Sequence, residues 1–160
     1  MRRINQILSH PKYQLYLSKI EELEKKREFC CHNLMHFLDV ARIGYILNLE
    51  LKLNISKELI YGVAFLHDIG RWCQYETGEL HEKASARLAK EILEEIDYSI
   101  NERDEIIDAI LSHRNEEAQK GKNLAGIMYR ADKESRACFN CKKTKECYWH
   151  DSKKNLKVII

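Results

Sequence analysis

Five successive stripes of apolar residues at helical spacing each begin or end on a histidine or an aspartate, and no other feature constrains the chain as much. His36 opens the stripe His36, Val40, Ile43, Leu47, Leu51. Ile60, Val63 and Ala64 lead to His67, with Asp68 beside it, in the run Phe65-Leu66-His67-Asp68-Ile69-Gly70-Arg71. His81 opens His81, Ser85, Leu88, Ile92, Ile96; Ile106 and Ile110 lead to His113; Asp132 lies one turn after Met128. Such i, i+3, i+4 recurrence is that of an amphipathic helix, so the polar groups are carried toward the core from five separate helices. Burying a carboxylate without a cationic partner costs on the order of several kcal/mol. A shared divalent ion would satisfy the whole set.

The rest of the chain supports an all-α reading. It has one proline and six glycines, and β-branched residues rarely alternate with polar ones. A hydrophobic content of 44% in 160 residues is enough for a single compact helical bundle spanning residues 1–160. The pattern predicts a short helix or an arm over 3–9 and a helix from Ser9-His10-Pro11 to about Arg27, with proline in its first turn. Its charged run Glu21 to Arg27 reads as a solvated face with i, i+4 Glu–Lys pairs. A third helix runs from His36 to about Leu49, and Ser56 is the expected N-cap of the helix ending at His67. Residues Gly70 to Leu80 read as a loop on a pocket rim, with Cys73 a half-buried thiol. Ser99 and Glu102 form a capping-box signature for the helix ending at His113. A polar loop, Arg114 to Asn123, precedes the last core helix, Leu124 to about Arg136.

At these positions the chain resembles the HD superfamily of metal-dependent phosphohydrolases. The matching residues are His36 in His36-Phe37-Leu38-Asp39-Val40-Ala41, the pair in His67-Asp68-Ile69-Gly70, and Asp132 in Arg130-Ala131-Asp132-Lys133. Order and separations both fit, over roughly residues 28–137. His81 and His113 fall where two extra histidines stand in the dinuclear members, such as the HD-type hydrolases of symmetric dinucleoside tetraphosphates. The resemblance implies one ion on His36, His67, Asp68 and Asp132. It implies a second on His81 and His113, with Asp68 bridging and Asp68 and His67 as the catalytic pair.

Mixed imidazole and carboxylate ligation suits one or two iron, manganese, cobalt, nickel or zinc ions better than magnesium or calcium. The implied reaction is attack of a metal-activated water on an ester or anhydride of a small phosphorylated substrate, in first place a nucleotide. Arg71, three residues after the metal pair, is a candidate phosphate clamp. Lys133 and His32, which shares a face with His36, are candidate substrate contacts. Two other readings use the same ligands: a di-iron oxygenase, and a non-catalytic nucleotide-binding or sensing module.

The net charge of +2 gives no push toward nucleic acid or a membrane. No run is apolar enough to span a bilayer, and Met1-Arg2-Arg3-Ile4-Asn5 lacks the character of a signal peptide, so a cytoplasmic setting with reduced cysteines is expected. An apolar stripe beyond the needs of the core would pair two copies, which keeps a homo-oligomer open. After the matched region stand Cys138, Cys141, Cys147 and His150, four metal-ligand types within thirteen residues. They suit a structural zinc, with Cys30 as the alternative to His150 if the His36 and Asp132 helices run antiparallel. The lysines of this tail, with Tyr148 and Trp149, read as a solvated terminus packed on the bundle rather than a nucleic-acid contact.

Overall fold

The helix carrying the His67-Asp68 pair is apolar on every side, and the fold is arranged accordingly. Seven of the ten residues of α4 (Lys57–Leu66) are buried, which a helix achieves only when it is surrounded. Around it, in a computed structural model describing residues 1–160, pack α1 (Arg2–Ser9), α3 (Leu34–Glu50), α6 (His81–Leu93), α7 (Ile100–Ser112) and α8 (Leu124–Glu134). Two further helices, α2 (Pro11–Glu24) and α5 (Arg71–Thr77), lie against each other, with α2 also on α1 and α5 also on α6. One hydrophobic cluster, drawn from α1 to α8, fills the centre. The structure is all-α.

Local sequence explains where the helices start. Asn33 caps α3 by accepting from the His36 N–H, and Asn123 caps α8 by accepting from Gly126. The Ser99/Glu102 box is formed in both directions, and Pro11 opens α2 behind the His10 cap. Ser56 occupies the N-cap position of α4 but its side chain makes no capping bond; packing of the apolar α4 does the work instead.

Several segments differ from the sequence expectation. The stretch read as a loop at Gly70–Leu80 contains helix α5, closed by Gly78 in the left-handed region at φ 78°. A polar exposed surface hid its helical period: Cys73, buried rather than half-buried, is its one core residue. Part of the expected Arg114–Asn123 loop is a 3-10 turn, Glu116–Lys120. Helix α8 stops at Glu134, two residues before Arg136. Helix α2 stops at Glu24, and the run Glu21 to Arg27 is not simply a solvated face. Glu24 is buried, because it continues the stripe Tyr13, Leu17, Ile20 into the site.

Gly70 fixes the corner between α4 and α5. Its N–H donates to Ser85 Oγ at 2.9 Å, and a Cβ built on it would lie 2.3 Å from the Ser85 nitrogen. The backbone of α6 therefore presses directly on the turn that follows His67-Asp68, and only glycine permits that approach. Gly70→Ala should cost about 1–3 kcal/mol through overpacking, read as a lower urea midpoint, and should weaken divalent-metal uptake by displacing His81. A variant with wild-type stability and uptake would show that the contact does not set the site.

Candidate metal centre

Each site histidine is anchored through one ring nitrogen and presents the other. His67 Nδ1 lies 2.8 Å from the Ala64 carbonyl and His113 Nδ1 2.5 Å from that of Ile110; each bonds back to its own helix. His81 Nδ1 stands 2.7 Å from Gln74 Oε1 on α5, and His36 Nδ1 3.3 Å from Ser135 Oγ after α8. At His67, His113 and His36 a proton held on Nδ1 turns the Nε2 lone pair inward, the arrangement by which neighbouring groups orient metal-binding imidazoles; at His81 the Arg71 guanidinium also points at Nδ1, 3.0 Å away.

The four Nε2 atoms converge on two carboxylates. Asp68 Oδ2 is 3.4 Å from His67 Nε2 and 4.0 Å from His36 Nε2. Asp132 Oδ1 is 3.6 Å from His36 Nε2 and 3.9 Å from that of His67. On the other side, Asp68 Oδ1 is 3.1 Å from His81 Nε2 and 3.6 Å from His113 Nε2. The donors thus fall into two sets, His36/His67/Asp68/Asp132 and Asp68/His81/His113, each with all ligand atoms within 4.8 Å of one another. Bonds of about 2.1 Å to a common ion impose separations of this size.

Unmet polar demand supports the same assignment. His36 Nε2, His67 Nε2 and Asp68 Oδ1 are buried without any hydrogen-bond partner, a costly state that a cation would relieve. Burial, reinforced by His67, pushes His36 down to about 4, and burial, with Arg71 adding, pushes His81 down to about 3. Both rings are accordingly neutral and ready to ligate near pH 7. Burial also pulls at His67, but Asp68 and Asp132 hold it above its usual value. Burial pushes Asp68 up, yet Arg71 and His67 hold it well below the carboxylate range; Asp132 is held low in the same way, by His67 and Lys133.

The candidate substrate contacts line a cavity of about 540 Å³ that the candidate metal ligands other than His67 also line. Arg71 Nη2 lies 2.7 Å from His32 Nε2 and 3.7 Å from Asp68 Oδ2. His32 is buried, with Nδ1 2.5 Å from Glu24 Oε1, so it carries its proton toward Glu24 and accepts from the guanidinium. Tyr75 donates to the same Glu24 oxygen at 2.5 Å. Lys133 pairs with Asp132 and approaches the His113 carbonyl at 3.5 Å.

Sequence reasoning missed Glu24, Gln74 and Ser135, which orient the site from behind. Glu24 was within reach, since it falls in register with the apolar face of α2. Gln74 and Ser135 carry no local signal, because only the fold brings them to a histidine.

Of the soft ligands, Cys30, Cys138, Cys141 and Cys147 line the same cavity. His150 does not join them: it is exposed and caps the last 3-10 turn, accepting from the Ser152 N–H at 3.2 Å. All six cysteines are free thiols. No helix is long and apolar enough to cross a membrane.

Comparison with known proteins agrees with this geometry. The model of the HD domain family matches residues 33–137, a span that contains every His and Asp of the two donor sets. The chain belongs to the HD domain family. It is also similar to a Clostridium beijerinckii protein described as "Uncharacterized protein", with 49% identity over 158 residues and 99% of each chain covered. No solved structure matches it.

The buried neutral histidines make the metal-free protein acid-sensitive. In the unfolded chain His36 and His81 take up protons near pH ~6.5, whereas in the fold they do so only near about 4 and about 3. Between those values the unfolded state binds more protons, so stability falls as pH drops. His67, raised in the fold, acts in the opposite sense but is one group against two. The melting temperature of chelator-stripped protein should therefore fall from pH 7 to pH 5. A flat or rising profile would contradict neutral burial of these rings.

Proposed function

We propose that the protein is a metal-dependent phosphohydrolase acting on a small phosphorylated substrate, with a nucleotide as the preferred class, and that it works with two divalent ions. The observation that carries the reading is Asp68, whose two oxygens face two separate sets of histidines. When bound, ions at those sets would lower the pKa of a coordinated water and neutralise charge on the phosphate.

The chain's own residues prepare the site for an anion. Arg71 is held by His32 and by Gln74 Oε1 at 3.2 Å, so its guanidinium reaches the cavity already oriented. Guanidinium geometry suits two phosphate oxygens at once, and Lys133 adds a second cation to the lining of the cavity. The cavity volume of about 540 Å³ lies in the usual range for small-molecule sites. On its wall Tyr148 and Trp149 are stacked, with ring centroids 5.5 Å apart, and they offer the flat apolar surface on which a base packs. This supports a nucleotide over a simple phosphate ester. Six free thiols suit a reducing compartment such as the cytoplasm.

A phosphate-release screen across nucleoside mono-, di- and triphosphates and dinucleoside polyphosphates, with manganese, cobalt or iron supplied, tests the proposal. Asp68→Ala should reduce turnover to background. Arg71→Ala should lower kcat/KM about 10- to 100-fold, the loss of a charge-assisted hydrogen bond, chiefly through KM. Tight nucleotide binding without turnover would overturn the hydrolase in favour of a binding module. Oxygen consumption with a carbon–carbon or carbon–phosphorus substrate would overturn it in favour of an oxygenase.

A further inference from the structure

Residues 138–160 hold a defined course against the bundle without a core of their own. None of them is fully buried, and their only regular structure is two 3-10 turns. Polar contacts position part of the segment. Asn155 Nδ2 donates to the carbonyls of Lys133, Glu134 and Arg136, and Lys154 Nζ donates to that of Thr144 at 3.0 Å. These part-buried contacts fix single points of the segment and bury no apolar core. A segment so poor in apolar burial is ordinarily pinned by a covalent or metal cross-link, and no disulfide is present.

The cysteines are placed for such a link. Cys138 and Cys141 begin two consecutive tight turns: the Cys141 N–H donates to the Cys138 carbonyl at 3.2 Å, and the Thr144 N–H to the Cys141 carbonyl at 3.2 Å. Thr144 Oγ1 ties both turns together at 2.9 and 2.6 Å. Cys30 arrives from the segment between α2 and α3, its carbonyl held by Arg27 Nε at 2.7 Å. Crowding by the cavity wall pushes the Cys30 thiol up, Arg136 opposes this, and Cys138 and Cys147 push it up further; the three sulfurs feel one another. Cys31 lines the same cavity but turns its sulfur to the Phe29 carbonyl at 3.4 Å. Arg136 and Lys154 bring positive charge to the group.

The width of the arrangement bears on what it holds. The donor sets that close to within 4.8 Å are the two His/Asp groups; the four cysteines are not among them, and instead ring a stretch of cavity wall. One zinc ion, with Zn–S bonds of about 2.3 Å, would draw four sulfurs to about 3.8 Å apart. A cubane iron–sulfur cluster bears the same four thiolates on separate irons and spaces them more widely.

We propose that Cys30, Cys138, Cys141 and Cys147 hold a four-iron, four-sulfide cluster that pins residues 138–160 to the wall of the His/Asp cavity. Assembly replaces the four S–H bonds by four Fe–S bonds and releases the four thiol protons, with ferrous iron, ferric iron and sulfide supplied from outside the chain in the proportion two to two to four, so that no electron is gained or lost. The cluster has a structural role and stands apart from the divalent-metal sites.

The test is anaerobic reconstitution of the full chain with equal amounts of ferrous and ferric iron and with sulfide, followed by iron and acid-labile sulfide analysis and visible absorption. The expected result is about four sulfides per chain and a broad visible band that bleaches on reduction. Both should be lost in Cys30→Ser, Cys138→Ser, Cys141→Ser and Cys147→Ser, and kept in Cys31→Ser and His67→Ala. Sulfide content separates this centre from iron bound by histidines, and circular dichroism checks that each variant retains its helices. One zinc per chain without sulfide, loss of the band in Cys31→Ser, or no bound metal at all would overturn the proposal.

Discussion

The buried carboxylate of Asp68 is the constraint on which the rest of the structure depends. It sits at the end of the most apolar helix of the bundle, in a position where an isolated negative charge could not persist. Five imidazoles and one guanidinium converge on it, His32 at 3.6 Å among them, and most are carried by helices that pack around or beyond α4. The core has to bring α3, α6, α7 and α8 to within a few ångströms of one point, and the apolar stripes that begin or end on His36, His81, His113 and Asp132 do so. Gly70 is the steric condition for this convergence, because a side chain there would push α6 and its histidine away.

Behind the ligands lies a layer of polar side chains that decides which nitrogen of each ring is presented. Backbone carbonyls orient His67 and His113, while Gln74 and Ser135 orient His81 and His36. Glu24 and His32 extend the same logic to Arg71: a buried acid fixes the imidazole, and the imidazole fixes the guanidinium. The site thereby presents clustered imidazole and carboxylate donors beside an oriented guanidinium. The cysteine-bearing tail closes one wall of the cavity that both share.

The ligand set was legible in the sequence because a histidine or aspartate on an apolar helical face breaks the pattern that buries it. Six such breaks, in an order that the HD family also shows, leave few arrangements. The helix start at Ser99 reads from its capping box, whereas the Asn33 cap, which starts α3 at Leu34 rather than His36, was not singled out. What could not be read depends on distance in the fold. Helix α5 is short and mostly polar, so its single buried residue, Cys73, gives no period. Glu24 lies in a charged run whose composition suggests solvent, although its register with Tyr13, Leu17 and Ile20 points inward. Gln74 and Ser135 become orienting groups only through contacts with histidines on other helices. The choice between Cys30 and His150 depends on the course of the chain outside the helices: Cys30 lines the cavity together with Cys138, Cys141 and Cys147, and His150 does not.

The most direct test of the central claim is calorimetric titration of manganese into metal-stripped protein, since manganese favours the imidazole and carboxylate donors over the thiolates. The account predicts about two ions per chain in the wild type, one in His81→Ala, and none of comparable affinity in Asp68→Ala, where the shared ligand of both sets is gone. A wild-type chain that binds a single ion, or an Asp68→Ala variant that still binds two, would contradict it.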